Sequence, residues 1–185
     1  VIEGSLVIDD LNDGMVDIQN LDGLDGLTEV HGDLEFYGCD LLNDFSGMNQ
    51  VKKIGGNLDV QSNSQPHNFN GFDQLDTIEG GLIIRNNDNL TSLEGFSKLR
   101  HIYGVVTIAG NKNLILESGF DSLHTVGALR ISDSSFEKIG AFTKLDSIRF
   151  FLLIEGNKNL KTIEGFENLS FIGEDLEFSY NDSLE

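Results

Sequence analysis

Apolar residues recur along this chain in pairs two positions apart: Leu6/Ile8, Leu34/Phe36, Leu58/Val60, Leu82/Ile84, Val106/Ile108, Leu129/Ile131, Leu152/Ile154 and Leu176/Phe178. That alternation is the pattern of a β-strand with one buried face. With the second residue of each pair as the ruler, successive strands lie 28, 24, 24, 24, 23, 23 and 24 residues apart. A fixed period in this range marks a solenoid and outranks any local reading of secondary structure.

The rest of each period is as regular. Three residues past the ruler stand Asn63, Asn87, Asn111, Asn157 and Asn181, with Cys39 and Ser134 at the same place in the second and sixth coils. A Gly followed by a large apolar residue recurs as Gly47-Met48, Gly71-Phe72, Gly95-Phe96, Gly119-Phe120 and Gly165-Phe166, and Ala141-Phe142 breaks the Gly. Leu75, Leu99 and Leu123 follow, with Ile78, Ile102 and Val126 three residues on. This spacing is too brief for a helix of several turns, so it predicts a short strand or extended segment with a single 3₁₀ turn. The fold expected is mainly β: a right-handed parallel β-helix solenoid of about seven coils of 23–24 residues. Equal positions of the period then stack about 4.8 Å apart. Phe72, Phe96, Phe120, Phe142 and Phe166 become an aromatic spine, and the Asn column turns inward to satisfy backbone groups at the corner. The first coil carries four extra residues within Asp9–Met15, an Asp/Asn/Gly-rich bulge. No linker interrupts the repeat, so residues 1–185 read as a single solenoid domain. The chain opens inside a repeat and stops half-way through one without an amphipathic capping helix. An excerpt of a longer or processed chain is therefore expected, with more coils or a cap beyond at least one end.

The composite pattern I-x-G-x-L-x-I-x-x-N-x-x-L-x-x-L-x-G-F-x-x-L-x-x-I resembles the repeat of receptor L domains. These are the ligand-binding lobes of insulin and epidermal growth factor receptors, with relatives in fungal cell-wall and bacterial surface proteins. The resemblance covers nearly the whole chain. It implies a right-handed β-helix related to leucine-rich repeats, displayed outside the cell and used for recognition. The chain lacks the disulfides and capping helices of the receptor version, which favours a bacterial or lower-eukaryote surface protein. Ligand contacts are not part of the repeat, so no binding residue carries over.

Twelve basic against 31 acidic residues leave a net charge of −19. Nucleic acid, which needs a basic footprint, is excluded as a partner, and so is an anionic membrane surface. No apolar run is long enough for direct membrane insertion. The lone Cys39 rules out an internal disulfide framework and reads as a small buried residue.

Candidate chemistry must sit on outward positions, and most of it dissolves on inspection. The outward columns are too irregular for an ice-binding Thr array. A calcium-dependent polysaccharide lyase is the one enzyme reading worth weighing: Glu35 and Asp59 should lie side by side with Tyr37 and Gln61 beside them. A lyase also needs a Lys or Arg base, and those two strand faces supply none. The Asn-x-Asn turns read as structural corners, and His31, His67, His101 and His124 share no zinc spacing. No metal, cofactor or catalytic residue is therefore assigned. Two surface features rise above background. Lys52, Lys53, Lys98, Arg100, His101, His124 and Lys144 flank the Leu/Ile ladder of the second face, a basic stripe on an acidic chain that suits an anionic glycan or partner. Against it, the same columns carry Asp76 and Asp146. Phe150, Phe151 and Leu153, with Ile83 and Val105 in neighbouring columns, suggest an exposed apolar patch, with burial under a neighbouring domain as the alternative. Three Asn-x-Ser/Thr sequons begin at Asn89, Asn168 and Asn181. The function expected is a non-enzymatic cell-surface recognition or adhesion module binding a protein or glycan through a solenoid face. A structural spacer presenting another domain is the alternative, and the lyase trails both.

Overall fold

The computed structural model describes residues 1–9 and 18–185; all but Asp9 of the bulge expected at Asp9–Met15 lies outside the described residues. Among those residues the only helix is 3₁₀, in the single turns Ser46–Met48 and Glu94–Phe96. Eight parallel strands form one side: Leu6–Asp9, Leu34–Tyr37, Leu58–Gln61, Leu82–Arg85, His101–Ala109, Thr125–Ser132, Leu152–Glu155 and Leu176–Ser179. Their register is the one the period predicts. Leu6, Leu34, Leu58, Leu82, Val106, Leu129, Leu152 and Leu176 follow one another as Cα partners. The resulting β-solenoid makes about seven turns at close to 24 residues each.

The second side is built from two-residue strands, Glu29–Val30, Lys53–Ile54, Thr77–Ile78, Ser147–Ile148 and Phe171–Ile172, again parallel and in coil order. In the fifth and sixth coils the two sides fuse into the long strands His101–Ala109 and Thr125–Ser132, whose register shifts between Ile102 and Val105. A separate two-stranded sheet pairs Lys138–Ile139 with Thr162–Ile163.

The corner glycines are needed for two reasons. Gly71 has φ +114°, and a Cβ added there would sit 1.9 Å from the Phe45 carbonyl oxygen. Gly95 has no unusual φ, but its Cβ would come as close to the Phe69 carbonyl. Left-handed backbone and close approach both select Gly; the sixth coil takes a buried Ala141 instead.

The interior is aromatic along its length. Phe72, Phe96, Phe120, Phe142 and Phe166 stack at centroid separations of 5.8, 5.8, 5.2 and 5.3 Å. A second column, not foreseen from the repeat, joins at one end: Phe45 stacks on Phe69 at 5.2 Å, and Phe69 tilts onto Phe96 at 4.5 Å.

The Asn column is a continuous amide ladder. Asn111 Nδ2 donates to the carbonyls of Ile84 (3.0 Å) and Ala109 (3.2 Å), while its Oδ1 accepts from the Asn87 backbone N–H at 3.0 Å. Asn63, Asn87 and Asn157 repeat the arrangement and are buried. Each side chain thus closes a corner its own coil cannot satisfy. The two exceptions use weaker donors at the same place. Cys39 Sγ points to the Ile8 carbonyl at 3.4 Å, and Ser134 Oγ donates to Ser132 O at 3.1 Å.

Candidate functional site

Inward positions are committed to the Phe, Leu and Asn columns, so function falls to the outward ones. Glu35 and Asp59 are Cα partners, as the period predicts. Asp59 is nonetheless nearly covered: it accepts from Tyr37 Oη at 2.8 Å and from Gln61 Nε2 at 2.8 and 2.9 Å. Burial raises the Glu35 carboxyl above the usual range, and the charges of Asp33 and Asp59 add to it. Burial also raises the Tyr37 phenol, followed by its bond to Asp59. Among the described residues no group of three or more His, Cys, Asp or Glu is placed to hold a metal ion.

The raised Glu35 has a measurable consequence. A folded-state pKa above the unfolded one means that the native state binds the proton more tightly, so ionised Glu35 destabilises the fold at neutral pH. Glu35→Gln is expected to raise the melting temperature at pH 7. The gain should shrink as pH falls through the raised folded-state pKa and be lost below the ordinary carboxylate range, where both states are protonated. A gain that persists undiminished at pH 3 would contradict this origin.

The basic stripe forms as a column, but its charge alternates. Backbone N–H groups of Asp76, Arg100, His124 and Asp146 donate at 2.9, 2.9, 3.0 and 3.0 Å to Lys52, Asp76, Arg100 and His124 respectively. Arg100 then pairs with Asp76 and His124 with Asp146, each at 3.3 Å. Lys53 pairs with Glu79 at 2.7 Å, and Lys98 donates to Gln74 at 3.2 Å. Lys52, Lys53, Lys98 and Arg100 surround an open groove of about 500 Å³ around Asp76. His124 and exposed Lys144 continue the stripe outside that groove.

The apolar candidates are spread over two columns. Val105 partners Ala128, one position before Leu129, as Phe151 stands before Leu152, the next partner of Leu129. Leu153 and Ile83 share the other column but are separated in it by Arg130 and Thr107. Arg130 reaches across to pair with Glu155. Phe150 and Val105 are exposed, whereas Phe151, Leu153 and Ile83 are half-buried. The Arg149 guanidinium lies 5.6 Å from the Phe150 ring centroid, a cation–π contact.

The structure adds a recess that repeat reading passed over. Three residues bridge Ile102 to Val106, and three bridge Ile148 to Leu152, but only Gly127 and Ala128 bridge Val126 to Leu129. The short, small corner of the sixth coil leaves a cavity of about 300 Å³ floored by Ile102, Val126 and Gly127 and walled by Tyr103, Arg149 and Phe171. Thr125 and Ser147 also line it. Its signal in the sequence is the step of 23 rather than 24 between Ile108 and Ile131.

Comparison with known proteins gives one family: the model of the receptor L domain matches residues 50–124. No curated protein and no solved structure matches. Among the described residues no helix is long and apolar enough to cross a membrane. The matched segment holds the coils in which the Asn ladder, the Phe spine and the Gly corners are most regular, and the coils outside it stack in the same register. The chain is thus a β-solenoid whose central coils match the receptor L domain model and whose fold is consistent with that family.

Proposed function

We propose that this chain is a non-catalytic recognition or adhesion module displayed outside the cell, binding a protein or glycan partner through an outward solenoid face. The observation that carries this reading is the receptor L domain match over residues 50–124, because that family is a ligand-binding one found in the extracellular regions of receptors. The geometry supports it. The scaffold closes its own hydrogen bonds and core inwardly, so outward columns vary from coil to coil without cost to the fold. The test is a screen of the wild-type chain, Phe151→Asp and Arg100→Glu against arrays of extracellular proteins and glycans. A ligand bound by the wild type and weakened by one of the substitutions is the expected result. No ligand at all would favour the spacer, and turnover of a polysaccharide would revive the lyase.

A further inference from the structure

We infer that the basic groove and the corner recess form one elongated site for an extended uronic-acid polysaccharide, an inference that rests on the recognition reading above and gives it a ligand class. The two depressions are successive steps of one ladder. Lys53, Thr77, His101, Thr125, Ser147 and Phe171 follow each other as Cα partners. Thr77 lines the groove and Thr125 the recess. Five steps at a strand spacing of about 4.8 Å give a run of roughly 24 Å, long enough for several sugar units.

The charges along this run are set for an anion. The groove lining holds four cations and one carboxylate, Asp76, which Arg100 engages. Glu79, from outside the lining, takes Lys53, which among the described residues leaves Lys52 and Lys98 in the groove without a carboxylate. Among the described residues Lys52, Lys98 and Arg149 form no ion pair with a carboxylate, although the chain carries 31 acidic residues. Arg149 faces the recess, where a guanidinium fork suits a carboxylate.

The recess decides between kinds of anion. Tyr103 and Phe171 flank it and are 54% and 57% exposed as residues. The His101 ring holds Tyr103 in place by parallel stacking at 6.1 Å, and its Nδ1 lies 3.3 Å from the Thr125 hydroxyl. A pyranose ring offers an apolar C–H face to such aromatic walls and hydroxyls to Thr125 and Ser147, with its carboxylate left for Arg149. A neutral glycan would leave the lysines unmatched. An acidic peptide would leave the two rings without a flat partner.

The test measures binding of polygalacturonate and alginate to the full chain by calorimetry at low salt, with dextran and poly-glutamate as controls. Both uronate polymers should bind, dextran should not, and poly-glutamate should bind at least about tenfold more weakly. Arg149→Gln and Tyr103→Ala, both at exposed side chains, should each weaken the uronate polymers about tenfold with thermal unfolding unchanged. Absence of uronate binding, equal binding of poly-glutamate, or full affinity in both variants would overturn the inference. If the uronates fail while the array finds another ligand, this inference falls and the recognition reading stands; if both fail, both readings fall.

Discussion

Phe96→Ala is expected to cost about 3–5 kcal/mol of folding stability. The ring is fully buried in the middle of the stack and touches Phe69, Phe72 and Phe120 at centroid distances of 4.5, 5.8 and 5.8 Å. Removing it deletes the transfer term, leaves a cavity that coils tied above and below cannot collapse around, and forfeits the ring contacts. Urea unfolding checks the magnitude. A solenoid couples each coil only to its neighbours, so a break in the middle should also weaken cooperativity, seen as a lower m-value or a second transition. Phe178→Ala is the control: that residue is 46% exposed, and loss of its ring should cost well under half as much. Equal costs at the two positions would contradict the central spine.

Asn111→Asp is expected to be nearly as damaging although it changes almost no volume. The Asn111 amide donates to the carbonyls of Ile84 and Ala109 and accepts from the Asn87 N–H. A carboxylate keeps the acceptor but loses both donations, setting a buried charge against two carbonyl oxygens. Orphaned buried groups cost about 1–3 kcal/mol each, and a charged one more, so a loss of about 3 kcal/mol or more is expected at pH 7. The sign with pH follows. The introduced carboxyl has its folded pKa raised, so the penalty is full at neutral pH and eases as pH falls and the protonated acid regains a donor. Chemical denaturation at pH 7 and pH 4 reads this directly. A penalty that grows on acidification, after correction for the wild type, would sink the donor role.

These two effects also explain what the sequence made legible. Phe96, Asn111 and Gly71 recur because each is bound to the coil above and the coil below, so the period alone places them in space. The ladder, the aromatic spine and the register were therefore readable from spacing. The Phe45–Phe69 stack was passed over although Phe45, Phe69 and Leu93 lie one 24-residue period apart, two residues before each repeat Gly. The position carries Phe in two coils and Leu in the next, so it reads as a generic apolar column rather than an aromatic one. Charge pairing was legible only as an alternative: Lys52, Asp76, Arg100, His124 and Asp146 share a column, but whether a stripe is basic or self-neutralised depends on which side chains reach each other. The corner recess lay hidden in a single missing residue, where a pattern reader sees tolerance of spacing rather than a cavity. Ligand-facing residues are the ones the repeat does not constrain, which is why periodicity tells least about them.

The claim beneath all of this is that residues one period apart are vertical neighbours. The most direct measurement is an electron spin–spin distance between labels at Asp40→Cys and Lys158→Cys, exposed equivalents five coils apart, with the buried Cys39 left unlabelled. Stacking in register places the two backbones roughly 24 Å apart, at about 4.8 Å per step, with the label linkers adding several ångströms at most. A separation near twice that value, or a broad distribution without a dominant distance, would contradict the stacked solenoid.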